Sequence, residues 1–229
     1  MEISERLKTV ASFVRTSRVI ADIGTDHGYI PIYLCLEDTI DRAIACDVNR
    51  EPVRRAACNI NRYGLGGRIE TRLGDGLKPV KTGEAEGAVI AGMGGMLIID
   101  ILDECREKTG ALGELVLQPQ TDVDRVRKYI HSIGFKIDDE AVIFEDGIYY
   151  NVIRAVRGKE KYDSEADYIF GRINIRRKDP TLKEFIEKDM NKSKRIMETL
   201  ERAGTENSVK RLAELEKYVE ICGEVYKCL

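Results

Sequence analysis

The first 157 residues alternate two kinds of hydrophobic pattern. Short apolar runs rich in β-branched residues predict buried strands, and segments with apolar positions every three or four residues predict amphipathic helices. Strands are predicted at residues 19–23, 42–48, 69–73, 87–93 and 115–120, and helices at residues 4–15, 29–38, 51–63, 96–108 and 122–133. Residues 135–144 and 149–156 predict a closing hairpin around Glu145, Asp146 and Gly147.

The order of these elements predicts the architecture. Strands that alternate with helices form parallel sheets, whereas two strands joined by a tight turn are antiparallel. We therefore expect an α/β fold with a mostly parallel sheet, one antiparallel strand near its edge, and helices on both faces.

A second region begins after Arg157, where the composition shifts. Residues 158–164 are polar and charged, which predicts a linker. Apolar positions then repeat at helical spacing over residues 182–200 and again over residues 209–226, with a turn at residues 203–207. This pattern predicts an antiparallel, coiled-coil-like helical hairpin. Two domains are therefore expected, residues 1–157 and residues 158–229.

The first predicted strand ends in the sequence DIGTDHG, which leads directly into a helix at Tyr29. A strand that ends at glycines before a helix places a ligand crevice at its carboxyl end. The loop differs from the dinucleotide pattern GxGxxG, because Asp26 stands where the second glycine would let a pyrophosphate approach. A positively charged ligand without phosphate fits this loop better, and S-adenosylmethionine, with its sulfonium and ammonium groups, is such a ligand. The alternative is that Asp26 caps the helix and Asp22 only ends the strand.

Acidic residues also follow the next two predicted strands. Asp47 closes the second strand about twenty residues after the first loop, where a carboxylate binds the ribose hydroxyls of an adenosine cofactor; alternatively, it caps the next helix. Asp75 follows the third strand and can accept a hydrogen bond from an adenine amino group beside Gly76, although a GDG sequence is also common in plain turns. After the fourth strand, Gly94 and Gly95 allow a flat base to approach the backbone, or form a tight strand-to-helix turn.

The composition is typical of a soluble globular protein, with 43% hydrophobic and 34% charged residues in 229. No basic and apolar leader opens the chain, and no uncharged stretch is long enough to span a bilayer. Six cysteines without a C-x-x-C pair favour free thiols in a reducing cytoplasm over disulfides or a metal site. We therefore expect a cytoplasmic protein with no metal, no membrane contact and no obligatory protein partner.

The charge distribution bears on nucleic-acid binding. A net charge of −3 argues against indiscriminate binding but allows a local basic patch. Residues 172–195 contain nine basic and four acidic residues. Such an excess is typical of contact with the phosphates of a folded RNA, and equally of an ordinary solvated helix face.

Taken together, these segments resemble the bacterial tRNA (adenine-22-N1)-methyltransferase family over nearly the whole chain. The resemblance rests on DIGTDHGYIP at residues 22–31, CDVNREP at 46–52, RLGDGL at 72–77, IAGMGGMLI at 90–98, LQPQ at 117–120 and EDGIYY at 145–150. It implies a Rossmann-like class I methyltransferase fold with a C-terminal coiled-coil-like hairpin, in agreement with the order of predicted elements.

The resemblance also implies a reaction and a set of site residues. The reaction is transfer of a methyl group from S-adenosylmethionine to N1 of an adenine in tRNA, at position 22 in the D-arm region. The implied cofactor-binding residues are Asp22 and Gly24 at the methionine end, Asp47 at the ribose, Asn49 beside the adenosine, Asp75 and Gly76 at the adenine, and Asp26. The implied catalytic residues, which face the target base, are Asp26, His27, Met93, Gly94 and Gly95. Gln120 departs from the Asn expected in this family.

Other functions fit the same sequence. One is a methyltransferase of this fold that acts on another RNA, a protein or a small molecule, and another is a non-catalytic module that binds S-adenosylmethionine or RNA. Adenine-N6 chemistry is disfavoured, because AGMG at residues 91–94 replaces the [DN]PP[YFW] motif typical of N6 enzymes. A nicotinamide oxidoreductase is disfavoured by Asp26.

Overall fold

One seven-stranded sheet lies at the centre of the computed structural model, which describes residues 1–203 and 205–229. Its strands are β1 (Val19–Ile23), β2 (Arg42–Asp47), β3 (Ile69–Leu73), β4 (Gly87–Met93), β5 (Glu114–Pro119), β6 (Phe135–Glu145) and β7 (Ile148–Arg157). They are arranged in the order β3-β2-β1-β4-β5-β7-β6. Strand β7 runs antiparallel to both of its neighbours, β5 and β6, and it lies one strand in from the edge. The predicted α/β fold is therefore confirmed.

The chain divides into two units, Met1–Lys161 and Tyr162–Leu229. The boundary expected from the sequence, at residue 157, lies just before this division. In the first unit the helices are α1 (Glu5–Ser12), α2 (Tyr29–Leu36), α3 (Arg50–Arg62), α4 (Gly95–Glu104), α5 (Arg106–Ala111) and α6 (Val123–Ser132).

The central strands are buried because helices cover both faces of the sheet. Ile20 on β1, Val89 on β4 and Leu117 on β5 belong to the buried core. Parallel strands that are covered on both faces consist of nearly continuous apolar residues, and the sequence of β4, GAVIAGM, follows this rule.

Helix α1 is shorter than the predicted segment of residues 4–15. It begins after Ser4, whose hydroxyl accepts a hydrogen bond from the Leu7 backbone N–H at 3.3 Å. It ends at Ser12, and the following backbone turns toward the buried carboxylate of Glu114. The N–H groups of Arg15, Thr16 and Ser17 all donate to this carboxylate, at 3.1–3.3 Å. These bonds replace the helical bonds that a longer α1 would form.

The single helix predicted over residues 96–108 is wrong, because the structure has two helices there. The break falls at Cys105, whose backbone angles, φ −117° and ψ 42°, are not helical. The Leu102 carbonyl oxygen, which a continuous helix would pair with a backbone N–H, instead accepts the hydroxyl of Thr109 at 2.9 Å. This side-chain bond, between residues seven positions apart, leaves the hydrophobic periodicity of the sequence unchanged.

The second unit contains the predicted helical hairpin. Among its described residues are a π-helix (Asp167–Gly171) and the helices α7 (Arg172–Arg177), α8 (Pro180–Ala203) and α9 (Glu206–Cys228). Helices α8 and α9 are antiparallel, since the Tyr218 hydroxyl donates to Asp189 at 2.7 Å and Lys183 lies 5.1 Å from the Tyr226 ring centroid. The hairpin is confirmed, whereas the turn predicted at residues 203–207 includes residue 204, which lies outside the described residues.

The sequence analysis does not predict the π-helix or α7, and the basic stretch of residues 172–195 is divided between α7 and α8. Lys178, with φ 53°, ends α7. Asp179 then caps α8, because its carboxylate accepts hydrogen bonds from the N–H groups of Thr181 at 2.8 Å and Leu182 at 3.1 Å. The Asp179-Pro180 pair is a local signal for a helix start that is independent of hydrophobic periodicity.

Candidate active site

Two adjoining cavities open where the parallel strands end. The β1 cavity has a volume of about 370 Å³ and is lined by residues 6, 7, 22–27, 29, 30, 91, 92 and 120. The β2–β3 cavity has a volume of about 220 Å³ and is lined by residues 23, 24, 47–49, 74–76, 93, 97 and 101. Both cavities share Ile23 and Gly24. Ligand crevices are expected at this edge of a doubly wound sheet, next to the switch between β1 and β4.

The loop after β1 is fixed by backbone hydrogen bonds to the neighbouring strand. The N–H groups of Gly24 and Thr25 both donate to the Cys46 carbonyl, at 2.8 and 3.0 Å. Gly28, with φ 70°, then turns the chain into α2 and leaves its first N–H groups without a side-chain cap. The alternative that Asp26 caps this helix is therefore wrong.

Asp22 is the buried acid of the β1 cavity, with only 4% of its surface exposed. Burial raises its pKa from the usual 3.8 to about 6, and the nearby charge of Asp47 adds to this, while Thr25 acts in the opposite direction. A carboxylate that is costly to ionise in the free protein is well suited to bind a cation, which would offset that cost.

The β2–β3 cavity is lined by five of the predicted cofactor residues, Gly24, Asp47, Asn49, Asp75 and Gly76. Asp47 accepts a hydrogen bond from the Asn49 N–H at 2.8 Å and does not cap α3, whose N-cap position is Asn49 itself. Asp75 is half-exposed and forms an ion pair with Lys78 at 2.6 Å. Gly76 has φ 52°, and a Cβ there would lie 2.9 Å from Ile101. Backbone conformation and close packing therefore both explain this glycine.

Gly24 and Met93 meet at the junction of the two cavities. Gly24 has φ 75°, and a Cβ on this residue would lie within 3.0 Å of the Met93 Cε atom. The thioether of Met93 therefore packs against the bare backbone of Gly24. A larger residue at position 24 would narrow the passage between the cavities.

Asp26 and His27 lie at the mouth of the β1 cavity, and each has a neighbour that the sequence did not predict. Asp26 is 56% exposed and forms an ion pair with Arg55 on α3 at 2.5 Å. The Nε2 atom of His27 lies 3.6 Å from the Oδ2 atom of Asp26. The His27 ring stacks on the Tyr29 ring, with the ring centroids 5.0 Å apart and the ring planes 8° from parallel. The Asn59 side chain holds this loop by donating to the His27 carbonyl at 2.9 Å.

Gly94 and Gly95 line neither cavity. The Gly95 N–H donates to the Thr121 carbonyl at 3.1 Å, and a Cβ on Gly95 would lie within 3.0 Å of that oxygen. Close packing of α4 on the loop after β5 thus accounts for Gly95 without reference to a bound base.

Two residues of α1, Arg6 and Leu7, also line the β1 cavity and were not predicted as site residues. Arg6 donates to Gln118 at 2.9 Å, across a sequence separation of 112 residues. No local pattern indicates such a contact, because it depends on where the sheet places the end of β5. Gln120, which departs from the expected Asn, also lines this cavity.

These residues fit S-adenosylmethionine. Its nucleoside end needs acceptors for ribose hydroxyls and an amino group, and Asp47 and Asp75 line one cavity. Its amino-acid end carries an ammonium group, and the buried carboxylate of Asp22 lies in the adjoining cavity. Gly24, without a side chain, connects the two.

Other features of the described residues concern metals, membranes and thiols. No group of three or more His, Cys, Asp or Glu side chains is placed to hold a metal ion among the residues that the structure describes. Within the same residues, every helix is too short or too polar to cross a lipid bilayer. The cysteines at positions 35, 46, 58, 105, 222 and 228 are free thiols.

Comparison with known proteins gives consistent matches. A family profile described as a methyltransferase domain matches residues 3–153. The Bacillus subtilis (strain 168) protein named tRNA (adenine(22)-N(1))-methyltransferase is 32% identical over 231 residues, which cover 98% of this chain and 97% of that protein.

Solved structures with bound ligands are also similar to this chain. Streptococcus pneumoniae Sp1610 in complex with S-adenosyl-L-methionine has a TM-score of 0.86 and 32% identity, covering 98% of this chain and all of that one (100%). M. capricolum TrmK in complex with S-adenosyl-homocysteine has a TM-score of 0.86 and 28% identity, covering 100% of this chain and 99% of that one. The similarity therefore extends over both units.

Proposed function

Since the chain belongs to the family of tRNA (adenine(22)-N(1))-methyltransferases, we propose that it transfers a methyl group from S-adenosylmethionine to N1 of adenine 22 in tRNA. The observation that carries this proposal is the arrangement of Asp22, Asp47 and Asp75 around two cavities that meet at Gly24. A substrate of this kind also favours the cytoplasm as the site of action.

The proposed cofactor contacts follow from the position of each acid. Asp47 would accept hydrogen bonds from the ribose, and Asn49 would lie beside the adenosine. Asp75 and Gly76 would hold the adenine, while Asp22 would pair with the ammonium group at the methionine end. When bound, S-adenosylmethionine supplies an electrophilic methyl group on its sulfonium sulfur.

The chemistry at the adenine requires positioning more than proton transfer. N1 of neutral adenine has a free lone pair, so no base has to remove a proton before attack. The residues at the mouth of the β1 cavity therefore have to hold this edge in line with the methyl group. The stacked rings of His27 and Tyr29 provide a flat surface for a base, and Asp26 is an acceptor for its amino group. N1 lies on the Watson–Crick edge, so the base must leave its pair or its stack, which costs a few kcal/mol.

We propose that the second unit contributes tRNA binding. Lys188, Lys192 and Arg195 line one open groove of about 620 Å³ along α8, together with apolar residues such as Ile196. Lys192 and Arg195 form no ion pair with any residue that the structure describes. Unpaired cations on one helix face are suited to the phosphates of a folded RNA.

Met93 stays a proposed contact of the target base because it lies where the two cavities meet.

The direct test is transfer of labelled methyl groups from S-adenosylmethionine to unmodified tRNA transcripts, followed by mapping of the modified nucleoside. We expect N1-methyladenosine at position 22. Label at another position, or only on a protein or a small molecule, would contradict the proposed substrate and leave the cofactor assignment intact. Binding of S-adenosylmethionine without transfer to any tRNA would instead favour a non-catalytic module.

A further inference from the structure

Arg6, on the N-terminal helix α1, has no role in the function proposed above. It is nevertheless the one arginine or lysine among the described residues that line the β1 cavity. Asp22 lines the same cavity, so a buried anion and a fixed cation face one ligand space. We infer that Arg6 binds the carboxylate of the amino-acid end of the cofactor, so that Asp22 and Arg6 together recognise an α-amino-acid zwitterion.

The side chain of Arg6 is fixed by three contacts. Its Nη1 atom donates to the side chain of Gln118, which is fully buried, at 2.9 Å. Its Nε atom lies 3.9 Å from Glu145, and its guanidinium lies over the Tyr150 ring, 5.2 Å from the centroid. The backbone N–H of Arg6 also donates to Glu145 at 3.1 Å. A guanidinium held in this way is pre-organised for a ligand, because little conformational entropy remains to be lost.

The guanidinium also retains donors for a ligand. It has five N–H groups, and Gln118 is the only hydrogen-bond acceptor that it reaches among the described residues. Its planar donor arrangement matches a carboxylate in a bidentate geometry. A ligand with a carboxylate next to an ammonium group would therefore satisfy both Arg6 and Asp22.

The depth of Arg6 favours this small ligand over the phosphate backbone of RNA. Only 24% of its side chain is exposed, and its Nη1 atom reaches toward buried Gln118 and lies about 4.0 Å from where a Cβ on Gly92 would stand. A phosphate in a folded RNA contacts an exposed cation more readily than a cation that lies inside a cavity. Contact with RNA is therefore an outcome that the test must distinguish.

This inference rests on the proposed function, because it requires S-adenosylmethionine in the β1 cavity. The first experiment uses calorimetry on the full-length wild-type protein with three probes. S-adenosylhomocysteine has the whole amino-acid end, its decarboxylated analogue lacks only the carboxylate, and methylthioadenosine lacks the whole amino-acid end. We expect S-adenosylhomocysteine to bind about tenfold to hundredfold more tightly than the decarboxylated analogue, as for other hydrogen bonds to charged groups.

The second experiment compares variants. Arg6→Gln should weaken S-adenosylhomocysteine binding by about the same factor and change binding of the decarboxylated analogue by less than about twofold. Arg6→Lys keeps the charge without the bidentate geometry, so it should retain only part of the preference. Lys8→Gln removes a cation from an exposed position on the same helix and should leave the preference unchanged.

Three results would overturn the inference. Equal binding of S-adenosylhomocysteine and its decarboxylated analogue by the wild-type protein would exclude recognition of the carboxylate, even without any variant. If Arg6→Gln weakened the binding of both ligands by the same factor, Arg6 would only support the structure of the cavity. A preference unchanged by Arg6→Gln, with weaker tRNA binding, would assign Arg6 to RNA. Failure of the wild-type protein to bind any of the three probes would instead contradict the proposed function itself.

Discussion

Replacing the buried acid Asp22 by asparagine should make the free protein more stable and its cofactor binding weaker. The carboxylate is 4% exposed, and burial raises its pKa from 3.8 to about 6. A shift of about two units corresponds to about 3 kcal/mol of unfavourable free energy for the ionised group at neutral pH. Asparagine has nearly the same shape but no charge, so Asp22→Asn should recover about 1–3 kcal/mol, after the cost of burying its amide group.

The pH dependence follows from the direction of the shift. Because the pKa of Asp22 is raised in the folded state, the folded protein binds more protons than the unfolded chain between about pH 4 and pH 6. The stability of the wild-type protein should therefore fall as the pH rises through this range, relative to Asp22→Asn. The two proteins should have similar stability near pH 4, and the full difference should be present above about pH 7.

Denaturation by urea at several pH values measures this difference, and calorimetry with S-adenosylhomocysteine measures the functional cost. Asp22→Asn should weaken S-adenosylhomocysteine binding by about tenfold to hundredfold, since it removes a charged partner of the ammonium group. Asp163→Asn removes one carboxylate from an exposed position and serves as the control. A variant that is less stable than the wild type at pH above 7, and that binds S-adenosylhomocysteine equally well, would refute the reasoning on both counts.

Three further predictions concern the cavity junction, the target base and the RNA. Gly24→Ala forces a left-handed backbone (φ 75°) on alanine and brings a Cβ against Met93, so it should lower the stability by about 1–3 kcal/mol, as measured by urea denaturation. The same variant should weaken S-adenosylhomocysteine binding in calorimetry. Unchanged binding would contradict the proposal that the ligand passes Gly24 between the two cavities. Asp26→Ala should lower single-turnover methylation of tRNA far more than cofactor affinity, because Asp26 lies at the cavity mouth, and an unchanged rate would remove it from the mechanism. Lys192→Gln should reduce the slope of log affinity for tRNA against log salt by about 1, and an unchanged slope would show that this lysine contacts no phosphate.

The parts of the fold that the sequence predicts well are those with local causes. The bounds of β1 and β4 agree with the predicted strands, because an apolar run and the glycines that end it are adjacent in sequence. The bounds of β3 (IETRL) also agree, and its end is marked by the GDG sequence that follows it. The edge where the acids lie follows from the parallel order of the strands. For this reason the sequence alone indicates Asp22, Asp47 and Asp75 as candidate site residues.

The parts that the sequence does not predict depend on individual side-chain contacts, two of them between residues about a hundred positions apart. Arg6 reaches the site only because the sheet brings the end of β5 to helix α1. The end of α1 depends on Glu114, and the break between α4 and α5 depends on the Thr109 hydroxyl. Neither contact changes the local hydrophobic pattern, so periodicity predicts one helix that is too long and another that is not interrupted.

The ion pair between Asp26 and Arg55 changes how Asp26 should act on the target adenine. An isolated carboxylate would stabilise the positive charge that develops when N1 is methylated. Arg55, 2.5 Å away, compensates much of that charge, and water screens the rest because Asp26 is 56% exposed. What remains is a hydrogen-bond acceptor held at a fixed place, which can receive the amino group of adenine and reject the carbonyl of guanine. Asparagine at this position would keep an acceptor oxygen without the charge, so Asp26→Asn should retain more methylation activity than Asp26→Ala.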